Sequence, residues 1–140
     1  PTLVYFGYTF CPDVCPVDSY TMARATELLE ERGIEATPVF ITIDPERDTP
    51  ERLAEWVSAL HPRMVGLTGS AGEIAAAADA YKAYYEKAEA PESGAGYLMN
   101  HSAFIYLMTP EGPAALFRQG VEPAAVADTV TRVLRDGALG

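Results

Sequence analysis

Leu3-Val4-Tyr5-Phe6-Gly7-Tyr8 runs straight into Thr9-Phe10-Cys11-Pro12-Asp13-Val14-Cys15-Pro16, and the join between these two stretches decides the fold. The first six residues are uncharged, aromatic and β-branched. That is the pattern of a short strand buried on both faces, as central parallel strands are. The next eight form a proline-rich loop holding both cysteines of the chain. Beyond it, Val17, Tyr20, Ala23, Arg24 and Leu28 lead to Glu30-Glu31-Arg32 and a stop at Gly33, which reads as a helix. Strand, cysteine loop and helix follow one another without a break.

Outward from this unit the βα alternation repeats. Val39 to Ile43, within Ala36 to Ile43, is a second buried strand, with Pro38 tolerated near its start. Asp44-Pro45-Glu46-Arg47-Asp48-Thr49-Pro50 then reads as strand end, turn and helix start. Thr49 is the N-cap, Pro50 takes the first helical position, and Arg47 and the acids pair locally. Leu53, Trp56, Val57 and Leu60 fall at i, i+3, i+4 and i+7 and make the buried helix face. Met64 to Thr68 is a short third strand. Ser70-Ala71-Gly72-Glu73 is a capping box for a helix carrying Ile74, Ala77, Ala78, Tyr81 and Tyr85. Ala88 to Asn100, with Pro91, Ser93, Gly94 and Gly96, reads as one long irregular segment, a place where function often sits. Ser102 to Met108 and Ala114 to Arg118 form a hairpin about Pro110-Glu111-Gly112. Pro123 to Asp136 closes the chain as a helix capped by Gly137. The order β-α-β-α-β-α-β-β-α predicts an α/β fold with a mixed central sheet flanked by helices.

With 140 residues, 49% of them hydrophobic and 21% charged, the chain has the composition of one folded domain over residues 1–140. Twenty acidic residues against ten basic ones leave a net charge of -10, which repels nucleic-acid phosphate and anionic lipid, so nucleic acid is excluded as a partner. The charge-free stretch Gly94 to Pro110 contains Asn100, His101 and Ser102 and does not suit a membrane span. Opening at Pro1 directly on a strand, the sequence reads as a fragment, with any targeting segment or membrane anchor expected upstream.

Two cysteines fit neither a disulfide-dense scaffold nor a four-cysteine zinc module. Cys11 and Cys15 stand at i and i+4, so over one helical turn both sulfurs point the same way and can share a ligand. A helix N-terminus beside them favours the thiolate, the form that binds metals and attacks disulfides. The plainer reading, an inert disulfide or two buried thiols, sits poorly with the prolines and Asp13 of an exposed turn. A cysteine pair directly after the first strand is also where thioredoxin-like folds keep their chemistry. In such folds the residue just before the strand that opens at Ser102 faces the cysteines, which makes His101 a third candidate. His61, between a helix and Pro62, reads as a turn residue. Structural zinc wants four protein ligands, whereas two soft thiolates and one imidazole suit copper, with Cu(I) accepting low coordination.

Three motifs in order then carry a resemblance. Tyr5 to Pro16 with its Cys-x3-Cys, Thr42-Ile43-Asp44-Pro45-Glu46-Arg47-Asp48-Thr49-Pro50, and Asn100-His101-Ser102-Ala103 with Ile105-Tyr106-Leu107-Met108 resemble the Sco/SenC family of copper chaperones over essentially the whole chain. The resemblance implies a thioredoxin-like fold and copper bound, as Cu(I) and also Cu(II), by Cys11, Cys15 and His101. It also implies delivery of that copper to the CuA site of cytochrome c oxidase subunit II, or to another copper acceptor, with an upstream copper donor. The family domain has a further N-terminal strand region and usually a membrane anchor, and it works at the periplasmic side of the inner membrane or in the mitochondrial intermembrane space. We expect a monomer. Asn100 stands where the family commonly has aspartate. Asp44, at a strand end, is a candidate to support the ligands from behind, and Met99 is a candidate soft contact. Neither is counted as a ligand.

Copper transfer has one main alternative, a thiol-disulfide oxidoreductase that reduces the acceptor's cysteines. It needs Cys11 and Cys15 but not His101. A peroxidase of the thioredoxin superfamily is disfavoured, because no arginine-supported peroxidatic motif follows Cys11.

Overall fold

The structure, a computed structural model, describes residues 1–9, 14–81, 85–90, 96–101, 104–110, 112–118 and 120–139, with the backbone alone for 14–16, 81, 85–90, 96–101 and 136–139. Strand β1 (Thr2–Gly7) is followed by helix α1 (Val14–Glu31), β2 (Thr37–Thr42), α2 (Pro50–Leu60), β3 (Val65–Leu67) and α3 (Ala71–Tyr81). Four strands come next, β4 (Tyr85–Ala90), β5 (Gly96–His101), β6 (Phe104–Thr109) and β7 (Gly112–Arg118), and then α4 (Pro123–Leu139).

The five-stranded sheet has the order β3-β2-β1-β6-β7. β1 runs parallel to β2, from Thr2↔Thr37 to Gly7↔Thr42, and antiparallel to β6, from Thr2↔Met108 to Tyr5↔Ile105. The uncharged run is thus the central strand of a mixed sheet. Leu3, Val4, Tyr5 and Phe6 are all buried, as a strand covered on both faces requires. Phe40, Ile105, Leu107, Val126 and Val130 surround it in the core. α1 packs against β1 and β2 and against α4, and α2 packs against β3. Gly66 permits that last contact, since a Cβ there would stand 3.3 Å from Leu53 Cβ and from Val57 Cγ1. Alternating βα units, a mixed sheet and a closing hairpin and helix make the thioredoxin-like fold the sequence predicts. Among the described residues no helix is long and apolar enough to cross a membrane.

The motif at 44–50 folds as expected. Thr49 caps α2, its Oγ1 accepting from Arg52 N at 3.2 Å, and Pro50 opens the helix. The capping box is present in full: Ser70 Oγ accepts from Glu73 N at 3.1 Å, and Glu73 Oε1 accepts from Ser70 N at 2.9 Å.

Other boundaries differ. The irregular segment expected at 88–100 is largely a two-stranded antiparallel sheet, β4 with β5, in register from Tyr85↔His101 to Ala90↔Gly96. Tyr85, expected on the preceding helix, lies in β4 instead, and α3 spans Ala71–Tyr81. Glu86, Lys87, Ala88, Glu89 and Ala90 are poor strand formers, and cross-strand pairing of their backbone outweighs that preference. His101 therefore ends β5, whereas the sequence suggested it would stand just ahead of a strand beginning at Ser102. Cys15, expected in the loop, lies in the first turn of α1, which begins at Val14. Pro16 allows this, because the first helical N–H groups have no partner inside the helix to lose. Finally, α4 continues through Gly137 to Leu139. A glycine near a helix end costs only about 1 kcal/mol.

Candidate functional site

β1 and β6 run antiparallel, so the carboxyl end of β1 and the amino end of β6 lie at the same end of the sheet. Cys11 follows β1 by four positions and His101 precedes β6 by three. The two strand ends that the cysteine segment and the histidine adjoin in sequence therefore share one edge, although 85 residues of sequence (16–100) lie between Cys15 and His101. Cys11 lies outside the described residues. Cys15 is seen as backbone in the first turn of α1, where the helix dipole favours a thiolate. His101 is seen as backbone paired with Tyr85. The side chains of Cys15, His101, Asn100 and Met99 lie outside the description.

What the structure does show is how the approach to the cysteines is built. Tyr8 and Thr9, which follow β1, are buried. Thr9 N donates to Asp48 Oδ2 at 3.0 Å and Thr9 Oγ1 donates to Asp48 Oδ1 at 2.5 Å. Thr42 Oγ1, at the end of β2, donates to Asp48 Oδ2 at 2.7 Å. Arg52, in the first turn of α2, donates from Nε to Thr9 Oγ1 at 2.5 Å and lies 3.7 Å from Asp48 Oδ1. The Arg47 guanidinium sits 5.8 Å from the centroid of the Tyr8 ring, within cation–π range. Both residues that precede Phe10 are thus gripped by the motif at 44–50 and the first turn of α2. On the other side, Tyr5 Oη donates to Asp18 Oδ2 at 3.1 Å, joining the middle of β1 to α1 three residues beyond Cys15.

The sequence reading paired Arg47 with the acids of this motif locally and kept Asp44 as a candidate support for the ligands. Asp44 does pair locally: its carboxylate accepts from Arg47 Nε at 2.5 Å, and its backbone N–H donates to Thr42 Oγ1 at 3.0 Å. The acid that reaches the cysteine side is Asp48, fully buried, and its contacts to Thr9 and Thr42 were missed. The available signal was an aspartate placed directly before an N-cap threonine that can make the cap by itself. Asp48 was therefore left over, without a local task. His61 is the turn residue expected, but a buried one. It caps α2, its Nδ1 accepts from Arg63 N at 3.0 Å, and its Nε2 lies 3.1 Å from Glu30 Oε1. The hydrogen bond from Arg63 to Glu30 holds that carboxyl below the usual carboxylate range.

The sequence profile of the SCO1/SenC family matches residues 1–135. The chain is 47% identical over 131 residues to Protein SenC of Rhodobacter capsulatus, covering 93% of this chain and 58% of that protein. It is 46% identical over 111 residues to Protein SCO1 homolog 1, mitochondrial, of Arabidopsis thaliana, covering 79% of this chain and 33% of that one. It therefore spans between a third and about three fifths of these relatives. The crystal structure of Arabidopsis thaliana ScoI with copper bound superposes with a TM-score of 0.88 at 38% identity, over 96% of this chain and 83% of that one. BsSco, described as a member of the Sco family of cytochrome c oxidase assembly proteins in which a disulfide switch was identified, superposes at 0.66 with 26% identity, over 93% and 78%. With a thioredoxin-like fold, a cysteine pair after the central strand, and family identity along nearly its whole length, the chain belongs to the SCO1/SenC family.

Proposed function

We propose that these 140 residues act as one copper-carrying unit that binds copper through Cys11, Cys15 and His101 and passes it to a protein acceptor, the CuA site of cytochrome c oxidase subunit II. The observation that supports this reading is the topology: the carboxyl end of β1, which the Cys-x3-Cys segment follows in sequence, and the amino end of β6, which His101 precedes in sequence, lie at the same end of the sheet, in a fold that matches copper-bound ScoI at a TM-score of 0.88. Two thiolates and one imidazole form a soft, low-coordinate set suited to Cu(I). Each cysteine gives up its proton as the ion binds. Three ligands leave one side open, so an acceptor thiolate or imidazole can add there as one of the original ligands departs. Cu(II), an upstream donor and a monomeric working state belong to the same proposal. So does a membrane anchor outside this sequence, facing the periplasm or the intermembrane space. Relatives among both bacterial SenC and mitochondrial SCO1 proteins support that compartment.

A second reading is favoured by the disulfide switch described for BsSco. The reduced pair would give two electrons and two protons to an acceptor disulfide and end as a Cys11–Cys15 disulfide, to be reset by a thiol reductant. Anaerobic Cu(I) titration of the reduced chain against a chromophoric chelator separates the two. Delivery expects one tightly held copper per chain, markedly weakened in His101→Ala, with disulfide reduction unchanged. Weak binding indifferent to His101→Ala would refute delivery and leave dithiol redox chemistry.

A further inference from the structure

We infer that Asp48 is a positioning residue for the cysteine pair, acting through Thr9, with Arg52 as a second hold on the same residue; this rests on reading Cys11 and Cys15 as a working dithiol. A fully buried carboxylate is unfavourable unless its oxygens are occupied by donors. Asp48 directs two of its three side-chain hydrogen bonds to one residue: Thr9 N at 3.0 Å fixes the backbone and Thr9 Oγ1 at 2.5 Å fixes the side-chain rotamer. The third goes to Thr42 Oγ1, at the neighbouring strand end, where Gly7↔Thr42 closes the parallel pairing. Arg52 Nε donates to Thr9 Oγ1 as well, so that hydroxyl both gives and receives. A residue needed only to end β1 would not require a carboxylate, a guanidinium and the adjoining strand.

Thr9 stands two positions before Cys11, at the carboxyl edge of parallel strands, where open α/β sheets place their ligands. The chain leaves this stretch at Val14 into α1, and α1 is tied back to β1 through Asp18 and Tyr5. Both approaches to the cysteines are therefore held by buried hydrogen bonds. Holding them raises the effective concentration of one thiol at the other, and with it the stability of a Cys11–Cys15 disulfide or of a copper ion shared between the two sulfurs.

The test is the equilibrium of the reduced chain with oxidised glutathione, in which protein dithiol and one glutathione disulfide yield the protein disulfide and two glutathiones. It needs no copper. Thr9→Val, which keeps the branched shape and removes the hydroxyl, and Asp48→Asn are each expected to lower this constant about tenfold. Thr9→Ser, which restores the hydroxyl, returns it to within about twofold of wild type, and Arg52→Met lowers it about threefold. Cu(I) affinity falls in the same order. A Thr9→Val constant equal to wild type overturns the proposal, and so does a Thr9→Ser constant as low as that of Thr9→Val. Should Thr9→Val and Asp48→Asn fail to fold, Arg52→Met at the partly exposed arginine decides, and an unchanged constant there overturns it. If the wild-type chain takes up no copper, delivery fails while the glutathione constants still judge the role of Asp48.

Discussion

Asp48→Ala removes one acceptor group from three donors at once. Thr42 Oγ1 still accepts from Asp44 N, and Thr9 Oγ1 still accepts from Arg52 Nε, so both hydroxyls keep a role. Thr9 N loses its Asp48 acceptor at a site where water has little access. A buried donor left without a partner costs about 1–3 kcal/mol, and a hydrogen bond to a charged group contributes about 1.5–3 kcal/mol. Part of this is offset, because the carboxylate itself no longer has to be desolvated. We expect a loss of about 3–4 kcal/mol, a large share of the roughly 5–15 kcal/mol that holds a domain together. Thr42→Val, which removes one donor to Asp48, should cost about 1–2 kcal/mol. Urea unfolding followed by tryptophan fluorescence and circular dichroism measures both, provided the two signals coincide and the denaturant slope is shared. A loss for Asp48→Ala no greater than that for Thr42→Val would refute the reasoning, because the contacts to Thr9 would then contribute nothing.

Phe40, fully buried with its ring centroid 6.1 Å from those of Tyr5 and of Trp56, should lose about 3–5 kcal/mol as alanine; a loss under about 2 kcal/mol in the same urea titration would mean the core collapses around the gap. Ser70→Ala, which breaks the capping box at an exposed helix start, should cost about 1 kcal/mol, read from the shift in urea midpoint. Glu30, held below the usual carboxylate range chiefly by its hydrogen bond from Arg63, binds a proton less readily folded than unfolded. Its stabilisation is complete above the ordinary carboxylate range and fades as pH falls through the folded value, so wild type should exceed Glu30→Gln near neutrality and meet it in acid. A gap that does not change with pH would contradict this assignment. With a net charge of -10, transfer to an acceptor with a basic face should slow as ionic strength rises from about 0.05 to 0.5 M in stopped-flow mixing; a rate indifferent to salt would count against electrostatic docking.

Most of the fold could be read in the sequence where a local pattern and a tertiary role coincide. Leu3 to Tyr8 carries no charge because the strand has sheet neighbours on both edges and is covered on both faces. Thr49-Pro50 and Ser70 to Glu73 mark helix starts because their side chains satisfy backbone groups within three residues. The β4–β5 hairpin was not legible for the opposite reason: Glu86, Lys87, Ala88 and Glu89 favour a helix, and only pairing with Gly96–His101 makes them a strand. The cysteines and histidine were legible as residue types with a characteristic spacing, and their side chains lie outside the described residues. The Asp48 contacts were not, since Thr9 lies 39 positions away and no periodicity links the two.

The central place of β1 also sets an order of events. Its parallel partner β2 is made soon after it, but its other edge waits for β6, and Thr2 pairs with Met108. Until the last third of the chain has been made, the strand leading to the cysteines has one open edge, and sheets closed by such distant contacts assemble more slowly than folds built on local ones. For that interval the sheet whose central strand leads in sequence to Cys11 and Cys15 is unfinished. On the proposed reading of the pair as a working dithiol, a newly made chain then depends on its surroundings to keep both thiols reduced until the β6–β7 hairpin arrives.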